Sequence, residues 1–142
     1  MKKQANTPTP LRRALYLFTF FTLFLFSPKS FAQSHPWVTP KLAQNTKNPI
    51  APNASALSDG KALYAANCSP CHGDKGKGNG PAAQALTPKP ADHTSATVQS
   101  ESDGSLFWKL TEGRSPMPSY KAALSDKQRW ELIAYIRTLA KH

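Results

Sequence analysis

Cys68-Ser69-Pro70-Cys71-His72 contains both cysteines of the 142-residue chain, and its C-x-x-C-H spelling decides how the rest is organised. Two thiols at this spacing sit about one helical turn apart and can add across the two vinyl groups of a haem. The adjacent imidazole then reaches the iron from the same side. A Cys-x-x-Cys pair also occurs as a redox dithiol, as half of a zinc site and as a plain disulfide. A dithiol of the thioredoxin kind wants a βαβ pattern around it, and no strand-rich sequence lies nearby. A tetrahedral zinc site wants a second Cys/His pair at ligand spacing, and none is present. A disulfide closing so tight a loop would add little chain-entropy stabilisation. In an exported chain, covalent haem attachment is the leading reading.

The N-terminus supports export. Residues 1–14 carry Lys2, Lys3, Arg12 and Arg13 and no acid, and a 12-residue apolar run follows from Leu15 to Phe26. Ser30-Phe31-Ala32 then puts small residues where a signal peptidase reads. As a helix the run is about 18 Å long against a hydrocarbon core of roughly 30 Å, too short to span comfortably. Residues 1–32 are therefore expected to be a cleavable signal peptide, with an uncleaved anchor as the alternative. The expected location is the periplasm, with no membrane span in the mature form. Arg12-Arg13 suggests a twin-arginine route, but attaching haem outside the membrane needs an unfolded chain and favours general secretion.

Formal charge is +10, from 18 basic and 8 acidic residues. Five of the basic residues lie in the leader, so cleavage leaves 13 against 8, a net of about +5. That balance suits docking to an acidic protein surface, or solubility alone. No motif supports nucleic-acid binding.

Residues 33–57 are rich in Pro, Asn, Thr, Ser and Ala, and read as a flexible arm; Trp37 and Val38 are its one sizeable apolar cluster, with folding back on the domain as the alternative to a solvated arm. Residues 58–142 form the domain. Ser58 is an N-cap candidate for a helix running into the cysteines. The glycine-rich stretch 73–80 is loop, with no strand before it and no Gly-Lys-Ser/Thr to make it a phosphate cradle. A helical turn is possible over Ala82 to Leu86. A second helix is expected from Asp103 to Glu112, capped by Ser102 or Asp103 and stopped at Gly113. Ser125-Asp126-Lys127-Gln128 is a capping box opening the last helix, with Trp130, Leu132, Ile133, Ile136, Leu139 and Ala140 at helical spacing. No strand is convincing. The fold class is all-α, with three to four short helices and long loops.

Some 85 residues with so few large side chains could hardly build a sufficient core. A haem answers the deficit with a flat apolar disc and ligand bonds that pin the loops. Beyond Met1, Met117 is the one methionine, set in Ser115-Pro116-Met117-Pro118-Ser119-Tyr120, where prolines on both sides forbid a helix. It is the leading candidate for the second axial ligand. The competitors are His35 in the arm, His93 in a polar loop and the terminal His142, each of which reads as a solvated histidine.

With these residues in view, 58–141 resembles a class I cytochrome c of the small bacterial monohaem type. In that family the first helix carries a glycine eight and an aromatic four positions before the first haem cysteine; Gly60 and Tyr64 stand there. Its last helix crosses the first at close approach through a Leu-x-x-aromatic face, matched by Leu132 and Tyr135. Gly78-Asn79-Gly80-Pro81-Ala82-Ala83, Lys89-Pro90-Ala91-Asp92 and Asp103-Gly104-Ser105-Leu106-Phe107-Trp108 are similar to one subgroup of such domains.

The resemblance implies a small cytochrome c fold wrapped around one covalently attached haem c. Cys68 and Cys71 would be its thioether anchors, and His72 and Met117 its axial ligands. It implies that the Pro81 carbonyl accepts the His72 ring N–H, that Trp108 and Arg114 meet the haem propionates, and that Tyr120 packs against the haem. The implied function is a periplasmic, monomeric electron carrier and not an enzyme. Its partners would be redox proteins with an acidic docking surface, steered by lysines such as Lys75, Lys77, Lys109 and Lys121. The alternatives are a haem subunit of a larger exported oxidoreductase, or a haem peroxidase or gas-binding protein if Met117 is not a stable ligand. No paired carboxylates, distal histidine or nucleophile constellation favours catalysis.

Overall fold

A short polar cap sets where the first long helix begins. In the computed structural model Asn53, extended at its own φ/ψ, accepts a hydrogen bond on Oδ1 from the Ala56 N–H at 2.9 Å. Ser58, the expected cap, therefore lies a full turn inside the helix. The described residues are 36–141; the leader over 1–32, the first residues of the expected arm, His35 and His142 lie outside them.

Six α-helices occur among the described residues: α1 (Lys41–Gln44), α2 (Ala54–Asn67), α3 (Ser69–His72), α4 (Ala96–Gln99), α5 (Asp103–Glu112) and α6 (Asp126–Thr138). Only α2, α5 and α6 reach ten residues; the others are single turns. Short 3-10 turns cover Ala83–Ala85 and Leu139–Lys141. No strand is present in this region, only an isolated bridge between Arg114 and Met117. The fold is all-α. None of the described helices is long and apolar enough to cross a membrane.

The caps of α5 and α6 follow their sequence signals. Ser102 caps α5 by accepting from the Ser105 N–H, and the helix ends at Gly113. Ser125 and Gln128 complete a reciprocal capping box at the start of α6, which satisfies two otherwise orphaned donors. Helix α2 crosses α6 in the most extensive pairing of the fold. Gly60 is the point of closest approach: a Cβ there would stand 2.3 Å from the Glu131 carbonyl oxygen and 2.9 Å from Tyr135 Cβ. One turn on, Tyr64 is buried and its ring lies 5.3 Å from that of Tyr135. Leu132 and Ile133 are fully buried beside them.

The segment expected as a flexible arm behaves differently over Trp37–Asn53. It belongs to the same compact unit as the helices, which runs from Trp37 to His142. Thr39 is buried, and its hydroxyl is 3.0 Å from that of Ser105 on α5. Helix α1 packs on α5. Asn48 donates from Nδ2 to the Trp130 carbonyl at 3.1 Å and accepts from the Ile50 N–H at 2.8 Å. Prolines suppress regular structure there without preventing docking, because side-chain hydrogen bonds replace the missing ladder.

Candidate haem site

The C-x-x-C-H stretch becomes helix α3 because Cys68 serves both as the last cap of α2 and the first of α3. Its N–H donates to Tyr64 at 2.8 Å, and its carbonyl accepts from Cys71 and His72 at 3.1 and 2.8 Å. The three side chains are thus presented by one rigid corner. Both cysteines are free thiols. Burial, followed by the neighbouring Cys71, pushes the Cys68 thiol up to about 12, unlike the low-pKa thiol a redox dithiol needs.

Cys68, Cys71 and His72 line a cavity that lies inside the core, bounded by Leu86, Val98, Leu106, Leu110, Ile133 and Ile136. Several of these walls are themselves members of the buried hydrophobic cluster. The cavity therefore shares its walls with the core. An apolar cleft with two free thiols and an imidazole on one corner fits a covalently held haem. Among the described residues no group of three or more His, Cys, Asp or Glu is placed to hold a metal ion.

His72 is buried, and its Nδ1 is 2.9 Å from the Ala91 carbonyl oxygen. A carbonyl only accepts, so Nδ1 carries the proton and Nε2 keeps its lone pair for a metal. Burial lowers the His72 pKa, opposed by that bond, which keeps the ring neutral as a ligand must be. The acceptor corrects the expectation for Pro81. Pro81 is exposed and outside the cavity, since Ala82 N–H folds back onto the Pro70 carbonyl at 2.9 Å and turns the chain outward. The Pro88–Ala91 run comes back over the imidazole instead, and Pro88, Pro90 and Ala91 all line the cavity.

Met117 lines the same cavity, half-buried and packed on the core. Its turn is closed by two backbone bonds with Arg114, at 3.0 and 2.9 Å. The following loop is tied down by the Ser119 hydroxyl donating to Thr111, the Tyr120 N–H donating to Leu110, and the Tyr120 hydroxyl donating to Asn67 at 2.8 Å. Tyr120 also lines the cavity, and burial raises its phenol to about 12.

The remaining expectations divide. Arg114 lines the cavity, but Trp108 does not. On α5 the cavity face carries Leu106, Lys109 and Leu110, at helical spacing, and position 108 points away from it. The indole at the cavity is Trp37, with Lys109 Nζ and Arg114 Cζ each 5.5 Å from its ring centroid. Lys109 is paired with Glu101 at 2.5 Å and only 18% exposed, so it is not a docking lysine; Lys75, Lys77 and Lys121 are exposed.

His93, expected in solvent, is half-buried in the cavity wall. Its ring stacks on His72 with centroids 4.0 Å apart, and its Nδ1 is 3.0 Å from the Tyr64 hydroxyl. Burial, then His72, holds its pKa down at about 3. Ring-on-ring contact places it directly beside His72. Its polar neighbours in sequence gave no sign of this; the Asp92-His93-Thr94 turn carries the ring inward.

A family model described as cytochrome c oxidase, cbb3-type, subunit III, matches residues 55–136. Among solved structures, a chain of the Kuenenia stuttgartiensis reducing HAO-like protein complex is similar at 32% identity and a TM-score of 0.59. The match covers 64% of the present chain and 46% of that one, so the chain spans under half the length of this relative. No curated protein matches it.

Proposed function

The chain belongs to the cytochrome c oxidase, cbb3-type, subunit III family of class I c-type cytochromes, and on that premise we propose a periplasmic carrier of single electrons. One haem c, bound through Cys68 and Cys71, would supply the reversible Fe(II)/Fe(III) couple. His72 and Met117 are proposed as the axial ligands. The observation that carries this reading is that the α3 corner and the Met117 turn, 45 residues apart in sequence, line one apolar cavity. His93 stacks on the His72 ring and turns its Nδ1 to the Tyr64 hydroxyl, while Met117 brings a soft thioether to the cavity.

Each side chain has a task that needs no ligand exchange. Ala91 fixes the His72 tautomer and raises its basicity. The Arg114–Met117 turn and the Tyr120–Asn67 bond hold the methionine loop in place, so little reorganises when the charge of the site changes. The apolar walls exclude water, which disfavours the more highly charged oxidised state and raises the potential. Exposed Lys75, Lys77 and Lys121 suit a redox partner with an acidic surface.

The ferric protein is expected to show the weak far-red sulfur-to-iron charge-transfer band, one haem per chain by pyridine haemochrome assay, and no carbon monoxide binding near neutral pH. Met117→Ala should abolish the band and admit carbon monoxide. A band that survives Met117→Ala would exclude the assigned ligand, and ready carbon monoxide binding by the wild type would favour a peroxidase or gas sensor.

A haem subunit of a larger exported oxidoreductase is the second reading, favoured by the structural neighbour being a chain of a protein complex. Size-exclusion of native periplasmic extract separates the two. A free monomeric carrier elutes near its own small mass, and a subunit elutes with the complex.

A further inference from the structure

Residues 37–48 make contacts that a linker has no need of. Trp37 enters the cavity wall, and two residues later the buried Thr39 hydroxyl meets Ser105 at 3.0 Å. Gln44 donates back to the Thr39 carbonyl at 2.7 Å, which folds the segment on itself through α1. The end of α1 then lies directly on α5: a Cβ at Gly104 would stand 1.9 Å from the Ala43 carbonyl oxygen and 2.5 Å from that of Thr46. Asn48 fixes the far end on Trp130. The seat is thus made for this segment, since any side chain at position 104 would lift it off.

Trp37 also organises charge. Its ring lies 5.5 Å from both the Lys109 ammonium and the Arg114 guanidinium, within cation–π range. An indole here therefore does two things: it closes part of the cavity against water, and it holds a guanidinium beside it.

Resting on the haem reading above, we propose that residues 37–48 are a strap that docks Trp37 as a wall of the haem cavity, and that Trp37 is a positioning residue that raises the redox potential by excluding water. Water at a haem stabilises the oxidised, more charged iron, so loss of Trp37 acts downward on the potential.

The test uses the haem-loaded protein in three forms: wild type, Trp37→Ala and Gly104→Val. Midpoint potential, the far-red band and the rate of tryptic cleavage after Lys41 and Lys47 are measured on each. Trp37→Ala should lower the potential while the band persists. Gly104→Val should lower it as well, and should speed cleavage at Lys41 and Lys47 at least tenfold by releasing the strap. A potential unmoved in Trp37→Ala overturns the role of the indole. Unchanged cleavage in Gly104→Val overturns the docked strap. If Gly104→Val does not fold, Trp37→Ala alone decides. Failure of the haem reading would look different, as a wild-type chain that carries no covalent haem.

Discussion

Gly60 shows how much one side chain of the smallest kind can govern. In a helix interior, Ala is favoured over Gly by about 1 kcal/mol. At position 60 that preference is overridden, because a methyl would stand 2.3 Å from the Glu131 carbonyl oxygen of the crossing helix. Backbone against backbone leaves no flexible atom to move aside. Gly60→Ala is expected to destabilise the haem-loaded protein by about 1–3 kcal/mol, the usual cost of overpacking. Denaturant titration checks it, and a stabilising outcome would mean that the crossing is looser than described. The same residue scale separates what motifs reveal from what they hide. Spacing makes Cys68, Cys71 and His72 candidates, as isolation between prolines does Met117, and all four line one cavity. Ala91 could not be found this way, because what it contributes is a carbonyl, which every residue has. His93 and Trp37 were hidden for a related reason: a polar or proline-rich neighbourhood predicts solvent, and only tertiary packing turns one ring inward.

At the scale of elements, local signals worked where a helix carries its own stop and start. Ser102, Gly113 and the Ser125–Gln128 box mark α5 and α6 at the bounds found. They worked less well for α2, where Ser58 looked like the cap and Asn53, one turn earlier, is the residue used. The single turns α1 and α4 were invisible, since four residues give no hydrophobic period. Such short pieces must be held from outside. Arg137 of α6 does this at the α4–α5 corner, donating to the Gln99 carbonyl at 3.0 Å, the Glu101 carbonyl at 2.5 Å and the Asp103 carboxylate at 2.8 Å. A lysine keeps the charge but cannot reach three acceptors with a planar fork. Arg137→Lys should therefore cost about 2 kcal/mol, in the range for hydrogen bonds involving a charged group. Thermal unfolding followed at the haem band would measure it, and an unchanged midpoint would remove Arg137 from its clamping role.

For the whole molecule the cavity sets the energetics. Val98, Leu106, Leu110, Ile133 and Ile136 both belong to the hydrophobic cluster and line the cavity, so part of each side chain faces that space rather than packed atoms. Unfilled, those walls lose dispersion contacts and admit water. Chain made without haem is expected to be largely unfolded, as in other domains whose ligand binding supplies the folding energy. Far-UV circular dichroism of a Cys68→Ser, Cys71→Ser double variant purified free of haem tests this; native helix content with a sharp thermal transition would contradict it. The sequence alone determined the all-α class and the capped starts of α5 and α6, and it named Cys68, Cys71, His72 and Met117 as candidates, because each is carried by local spacing or by scarcity. Tertiary structure decided which carbonyl orients His72, which tryptophan meets the cavity, and that residues 37–48 dock on the helices. Those are contacts between groups far apart in the chain, where identity at one position says nothing about what another segment brings to it.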